Sequence, residues 1–304
     1  MINTMCIYHS QCADGFGAAW AYRHSLRATQ DISEETRPDG THVVLQDDGT
    51  TTMFYPGSYG AEPPDVTGID VVLVDFSYKR PVLLEMSKKA KSILILDHHK
   101  SAQEDLDDIV PFASCLIEVV FDMDRSGAGI TWDYYFPNKT RPALINHIED
   151  RDLWRFNLRD TREIQAAVFS YPYRFSTWDH LMLSTDLQEL VLEGRAIERK
   201  HHKDIDEMLE TTQRTLRIAG YDVPAANLPY IFSSDACHKM AIHAPFAVCY
   251  WDTPKGRTFS LRSAAYGVDV SKIATQYGGG GHYHAAGFFA PWEDVDQFEL
   301  PKEA

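Results

Sequence analysis

Cysteine is scarce in this chain, and the little there is forms no pattern. The five cysteines among 304 residues (Cys6, Cys12, Cys115, Cys237, Cys249) are scattered, odd in number and without a CxxC pair. That excludes a disulfide framework and a structural zinc site, and points to reduced thiols. Long hydrophobic runs are missing too: no stretch approaches the roughly 18–20 apolar residues of a membrane span. The opening Met1-Ile2-Asn3-Thr4-Met5 has neither the basic start nor the apolar core of a secretory signal, so a cytoplasmic location without a membrane partner is expected. Positive charge is also in short supply, with 29 Lys and Arg against 44 Asp and Glu and a net charge of −15. A protein that tracks long duplex nucleic acid needs a broad basic face, because phosphate neutralisation dominates that affinity. The balance argues against such a partner while leaving room for a local basic groove. A small or short phosphate ester fits better, with divalent cations offsetting repulsion between an acidic site and an anionic substrate.

The remaining composition, 44% hydrophobic and 24% charged, is that of an ordinary globular protein with room for two domains. There is no internal repeat and no low-complexity segment. The first half alternates short β-branched runs with helical patterns, the signature of a parallel sheet with crossover helices. Strands are expected at residues 5–8, 71–74, 92–96 and 116–121, the continuous apolar run Val71-Val72-Leu73-Val74 marking a buried one. Helices are expected at 13–26, where Phe16, Ala19, Trp20 and Arg23 recur at about one turn, and at 81–91 and 127–136. A further helix starts at Pro142, a fitting first helical residue, and runs to about residue 154. Residues 30–51 are polar and turn-rich (Arg37-Pro38-Asp39-Gly40, Gln46-Asp47-Asp48-Gly49) and read as a surface excursion or small hairpin. Residues 187–216, with one glycine and no proline, read as one long connecting helix. Beyond about residue 221 come short strands (230–232, 247–251, 258–261), a helix (270–277) and a glycine run. The expected fold class is α/β: a parallel-sheet domain over 1–155, a helical connector over 156–218, and a smaller α+β domain over 219–304.

Acidic and imidazole side chains gather where the strands of the first domain end: His9 and Asp14, then Asp75, then Asp97-His98-His99, with Asp150 and Asp152 near the end of the Pro142 helix. Ligands of open α/β sheets bind at that edge. Singly, each carboxylate reads as well as a helix cap. Jointly they would repel one another unless a cation neutralised them. Carboxylate and imidazole without paired thiolates favours manganese, magnesium or a similar ion. Adjacent His98 and His99 cannot point the same way from extended backbone, so one can ligate metal while the other faces substrate. His201-His202, inside a charged helical run, reads as a solvated face. In Gly278-Gly279-Gly280-Gly281-His282, four glycines are costly to order and let backbone amides approach an anion. His282, Arg262 and Ser263 lie where side-chain donors to a phosphate are wanted, Arg262 in a bidentate manner.

Taken together, His9…Asp14-Gly15, Val74-Asp75-Phe76-Ser77, Asp97-His98-His99, Asp150 in a helix and Gly279-Gly280-Gly281-His282 resemble the DHH phosphoesterase family over essentially the whole chain. The second domain resembles its DHHA1 partner. Val74-Asp75-Phe76-Ser77-Tyr78 and Ile148-Glu149-Asp150-Arg151-Asp152-Leu153-Trp154 lean towards its oligoribonuclease or cyclic-nucleotide phosphodiesterase branch. The resemblance implies two divalent ions, usually manganese with magnesium or cobalt as alternatives. They would be held by His9, Asp14, Asp75, His98 and Asp150, with Asp75 between them. It further implies that His99 faces the substrate phosphate, with Asp97 either ligating or orienting a histidine from behind. Arg262, Ser263, Gly279, Gly280, Gly281 and His282 would bind substrate. One departure stands out: many members carry an aspartate where this chain has Cys12. The activity implied is hydrolysis of short oligonucleotides or dinucleotides by a metal-activated water. Alternatives are a cyclic-nucleotide or 3′-phosphonucleotide phosphohydrolase, or a nucleotide-binding sensor without turnover. A homodimer is compatible with this reading.

Overall fold

In the computed structural model, residues 2–37 and 41–300 are described; Pro38, Asp39 and Gly40 of the expected turn lie outside them. The chain forms two compact units, one up to Ile197 and one from Glu198 onwards.

The first unit begins with β1 (Thr4–His9), α1 (Ala13–Thr29), β2 (Ile32–Thr36), β3 (His42–Gln46), β4 (Thr51–Gly57) and β5 (Asp70–Val74). It continues with α2 (Arg80–Ser87), β6 (Ser92–Asp97), α3 (Lys100–Leu106), β7 (Leu116–Phe121), α4 (Gly127–Tyr135) and α5 (Ala143–Asp152). Then come α6 (Thr161–Ser170), α7 (Phe175–Leu183) and α8 (Leu187–Thr212), which runs on into the second unit. The sheet order is β2-β3-β4-β1-β5-β6-β7. From β4 to β7 every pairing is parallel, while β2 and β3 extend the edge antiparallel. Alternation along the strands builds two cores. Cys6, Val72, Val74 and Leu96 pack with Phe16 and Trp20 of α1, Ile130 of α4, Ile148 of α5 and Trp178 of α7. Met5, Ile7, Leu73 and Ile95, on the opposite face, pack with Leu83 and Met86 of α2 and Leu106 of α3. Both faces are covered, which is why these strands read as continuous apolar runs.

The second unit adds β8 (Gln213–Ile218), β9 (Tyr221–Asn227), α9 (Ser233–Ala241), β10 (Ala247–Thr253), β11 (Gly256–Arg262), α10 (Val270–Gln276), β12 (Gly280–Gly281) and β13 (Ala285–Pro291). Its sheet runs β12-β13-β11-β10-β9-β8, antiparallel except between β9 and β10. Ala247 and Cys249 face Ala236, Cys237 and Ala241 of α9. Val248 and Tyr250 face Val270, Ile273 and Ala274 of α10.

Five expectations change. Residues 30–51 do form a small hairpin, β2 with β3, but together with β4 just after it they extend the sheet instead of making a surface excursion. Pro142 is the N-cap of α5 and not its first residue. The stretch after residue 155 is no free connector: Ile164, Val168, Phe175 and Trp178 complete the first unit's core. The long helix stops at Thr212, because Leu216 and Ile218 bury alternately with exposed Thr215 and Arg217, a strand period. Residues 230–232 form a 3₁₀ turn after Pro229, with Tyr230 and Ile231 exposed. No helix among the described residues is long and apolar enough to cross a membrane.

Candidate metal centre

The register of the parallel strands sets Tyr8 opposite Val74 and Val74 opposite Leu96. The next residues, His9, Asp75 and Asp97, therefore leave three neighbouring strands side by side at their carboxyl ends. At Asp75 the backbone enters the left-handed region, φ 53°, a conformation aspartate tolerates better than most residues. Its N–H still donates to Leu96 O at 2.9 Å. Close approach of α4 depends on Gly127, since a Cβ there would stand 2.3 Å from Asp75 Cβ.

Three carboxylates surround one imidazole nitrogen. His98 Nε2 is 3.0 Å from Asp75 Oδ1, 3.5 Å from Asp14 Oδ2 and 3.4 Å from Asp152 Oδ2. On the other side of Asp75, Oδ2 is 3.6 Å from His9 Nδ1. Asp14, at the start of α1, also accepts the N–H groups of Gly127 (2.6 Å) and Ala128 (2.9 Å), so the positive end of α4 stabilises its charge. Among the described residues of the first unit, two three-residue sets able to hold a metal result: Asp14, Asp75 and His98, and His9, Asp75 and His99. Within each, the ligating atoms lie within 4.8 Å of one another, and Asp75 belongs to both.

Asp97 is fully buried and fully used. Its Oδ1 accepts from the backbone N–H of His98 (2.7 Å) and His99 (3.2 Å) and from His99 Nδ1 (2.7 Å). Oδ2 accepts from Ser77 Oγ at 2.6 Å. Asp97 thus orients His99 instead of reaching the cluster itself. With Nδ1 turned to Asp97, Nε2 is the nitrogen a metal or substrate would meet.

The donor set suits a hard or borderline cation. It offers carboxylate oxygen and imidazole nitrogen, and the buried Asp75 Oδ2 and Asp152 Oδ2 have no hydrogen-bond partner. Burial alone would discharge His98, but the Asp75 hydrogen bond and the charges of Asp152, Asp75 and Asp14 override it and push its pKa up to about 10. Burial likewise opposes charging of His9, and the Asp75 carboxylate and Cys12 beside it raise it well above the usual range all the same. Burial, then repulsion from Asp75 and Asp152, pushes Asp14 well up. Burial raises Asp152 as well. Asp75 goes well down despite burial, because the imidazoles of His9 and His98 beside it favour its ionised form. Protons here do the neutralising that a cation would do.

Asp150 does not join this group. Its carboxylate accepts from Asn157 N (2.8 Å), Leu158 N (3.0 Å) and Thr161 Oγ1 (2.6 Å), shaping the loop after α5, while Asp152 stands beside His98 in its place. Cys12, the N-cap of α1, belongs to neither three-residue set and acts on the site by helping to raise the His9 pKa. Tyr59, not foreseen from the sequence, packs edge-on to His9 and His99, with ring centroids 5.4 and 6.0 Å apart.

In the second unit, Arg262 and Ser263 share one sheet end with the glycine run: Arg262 pairs with Ala285 and Gly281 with Ala286. Arg262 donates to Ser260 Oγ, Leu261 O and Ser234 Oγ at 2.8–3.1 Å. Ser263 Oγ lies 2.9 Å from His284 Nδ1. The glycines have a packing reason of their own, because a Cβ at Gly279 would stand 2.0 Å from Gly287 O. His282 opens the turn into β13 through its N–H to Ala285 O, 2.7 Å. His201 is half-buried against Asp235 (3.1 Å), while His202, its side chain 44% exposed, pairs with Glu198 one turn back on the solvated face (2.8 Å).

No family model matches the chain. It is 31% identical over 320 residues to the uncharacterized protein R106 of Acanthamoeba polyphaga mimivirus, covering 97% of this chain and 70% of that protein. Among solved structures, it is similar to a pGpG-specific phosphodiesterase, PggH, from Vibrio cholerae (14% identity, TM-score 0.42, 97% and 95% of the two chains). An exopolyphosphatase-related protein from Bacteroides fragilis matches at 13% identity and TM-score 0.42, over 94% and 86%.

Proposed function

The chain belongs to the family of the mimivirus protein R106, and we propose that it is a metal-dependent phosphoesterase acting on short oligonucleotides or dinucleotides. The observation that carries this reading is Asp75, shared by two metal-competent sets of buried ligands. The order of motifs that resembles the DHH phosphoesterases supports it independently. His9, Asp14, Asp75, His98, His99 and Asp152 would hold the ions, with manganese the first choice. When bound, two such ions polarise a phosphoryl oxygen and supply a water of lowered pKa. The protein's own part is orientation and charge. Asp97 holds the His99 ring by Nδ1 and leaves Nε2 as the nitrogen for a metal ion or the substrate phosphate. Asp14, held by the α4 amides, and Asp75 offer carboxylate oxygens to cations that displace the protons held there, where an anionic ester must bind. Arg262, Ser263, Gly279, Gly280, Gly281 and His282 are proposed to bind substrate phosphate in the second unit.

The test is a panel of substrates with manganese, magnesium or cobalt: the dinucleotide pApA, oligomers of increasing length, cyclic nucleotides and pAp. Turnover fastest on pApA and falling with length is expected. Preference for cyclic nucleotides or pAp would move the activity to the alternative phosphohydrolases. Tight nucleotide binding without turnover by any of the metals would make the protein a sensor.

A further inference from the structure

Next to the metal centre lies a feature that the centre does not use. Immediately after Asp152 the chain places two aromatic residues in the left-handed region, Trp154 at φ 54° and Phe156 at φ 50°, a costly conformation for bulky side chains. The loop is held there by Asp150, whose carboxylate takes the N–H groups of Asn157 and Leu158 and whose carbonyl takes those of Arg155 and Phe156. What the held loop presents is an alternating stack of cations and rings. The Arg151 guanidinium lies 4.8 Å from the Phe169 ring centre and 5.2 Å from that of Trp154. Arg162 lies 5.7 Å from Trp154 and 3.8 Å from Phe156.

Several facts separate this ladder from ordinary core packing. Its Phe169 end is 45% exposed. Residues 151–162 carry four arginines against two aspartates in a chain of net charge −15, so positive charge is concentrated where the whole is acidic. Arg159 is 90% exposed. The ladder also grows from the same helix end that sets Asp152 3.4 Å from His98. Rings that accept a stacked base, with arginines for the phosphates between bases, are how single strands are gripped without sequence preference.

We propose that this arginine–aromatic ladder is a stacking platform for a nucleobase of a single-stranded substrate, with Phe169 as the outer ring and Arg159 a phosphate contact. The proposal rests on the phosphoesterase reading above and narrows its substrate to base-bearing single strands. Phosphorothioate-linked trinucleotides, which resist cleavage, test it on the full-length chain with manganese present. Binding of a labelled triadenylate is compared with that of an abasic trimer by fluorescence anisotropy. Wild-type protein should bind the base-bearing trimer about tenfold more tightly, and Phe169→Ala should erase most of that difference. Arg159→Ala should weaken both trimers. No base preference in the wild type, or a preference that survives Phe169→Ala, overturns the platform. So does a Phe169→Ala protein whose melting temperature falls while its binding does not, since the ladder is then a clasp for the loop. Because binding is read without cleavage, a wild type that discriminates between the trimers yet cleaves no phosphodiester sinks the phosphoesterase reading and keeps the platform.

Discussion

Gly127 and Asp75 show how little space single residues leave at the centre. A methyl group at Gly127 would press on Asp75 Cβ, which is tied to the main chain and cannot swing aside. Gly127→Ala is therefore expected to shift either α4 or Asp75. It should cost about 1–3 kcal/mol of stability and at least about tenfold in kcat/KM, about 1.4 kcal/mol, both readable from thermal melts and steady-state kinetics. The pair Asp150 and Asp152 divides more sharply. Asp152→Asn should weaken manganese binding with little change in melting temperature, because its Oδ2 has no hydrogen bond to lose. Asp150→Asn should do the reverse, loosening the 153–160 loop for about 1–3 kcal/mol. Equal effects of the two on metal affinity would refute the division. At this scale the residues on strand ends were visible in the sequence, because an acidic or imidazole residue closing an apolar run declares its own position. Asp150 and Asp152 were not separable. Two residues apart on a helix they face different ways, and which one meets His98 depends on how α5 docks.

Among the elements, α1 shows that a helix face can carry charge inward. Arg23 recurs at the helical spacing of Phe16 and Trp20 and is 1% exposed, yet it ends in ion pairs with Glu34 at 2.5 Å and Asp179 at 2.8 Å. Burial would raise the Glu34 pKa, but bonds from His42 and Arg23 bring it down to about 2. A depressed carboxyl pKa means stability that is present above about pH 4.5 and is lost as pH falls towards about 2. The destabilisation caused by Glu34→Gln, no more than about 3 kcal/mol, should therefore shrink steadily over that window in melts of wild type and variant. A gap that stays constant down to pH 2.5 would contradict the assignment. Elsewhere the elements were legible where one period prevailed, as in β5 and β6. They were not where tertiary pairing chose between periods: β8 took residues that follow a 26-residue helix, with no proline or glycine near Thr212 to mark the change, and β12 exists only because β13 lies beside it.

For the whole molecule, the acidic charge and the two-unit plan were readable from composition and pattern. The unit boundary was not, because α6 and α7 look like a linker until their apolar faces are seen in the first core. The excess of carboxylates is spent partly on the centre, where Asp14, Asp75, Asp97 and Asp152 lie buried or half-buried around three histidines. The account stands on Asp75 serving two metal positions at once. Calorimetric titration of manganese into metal-free protein, wild type beside Asp75→Asn, tests it most directly. Two ions per chain in the wild type, with both lost or weakened at least about a hundredfold (about 2.7 kcal/mol) in the variant, is the result expected. Undiminished binding of both ions to Asp75→Asn, or no binding to the wild type, would contradict it.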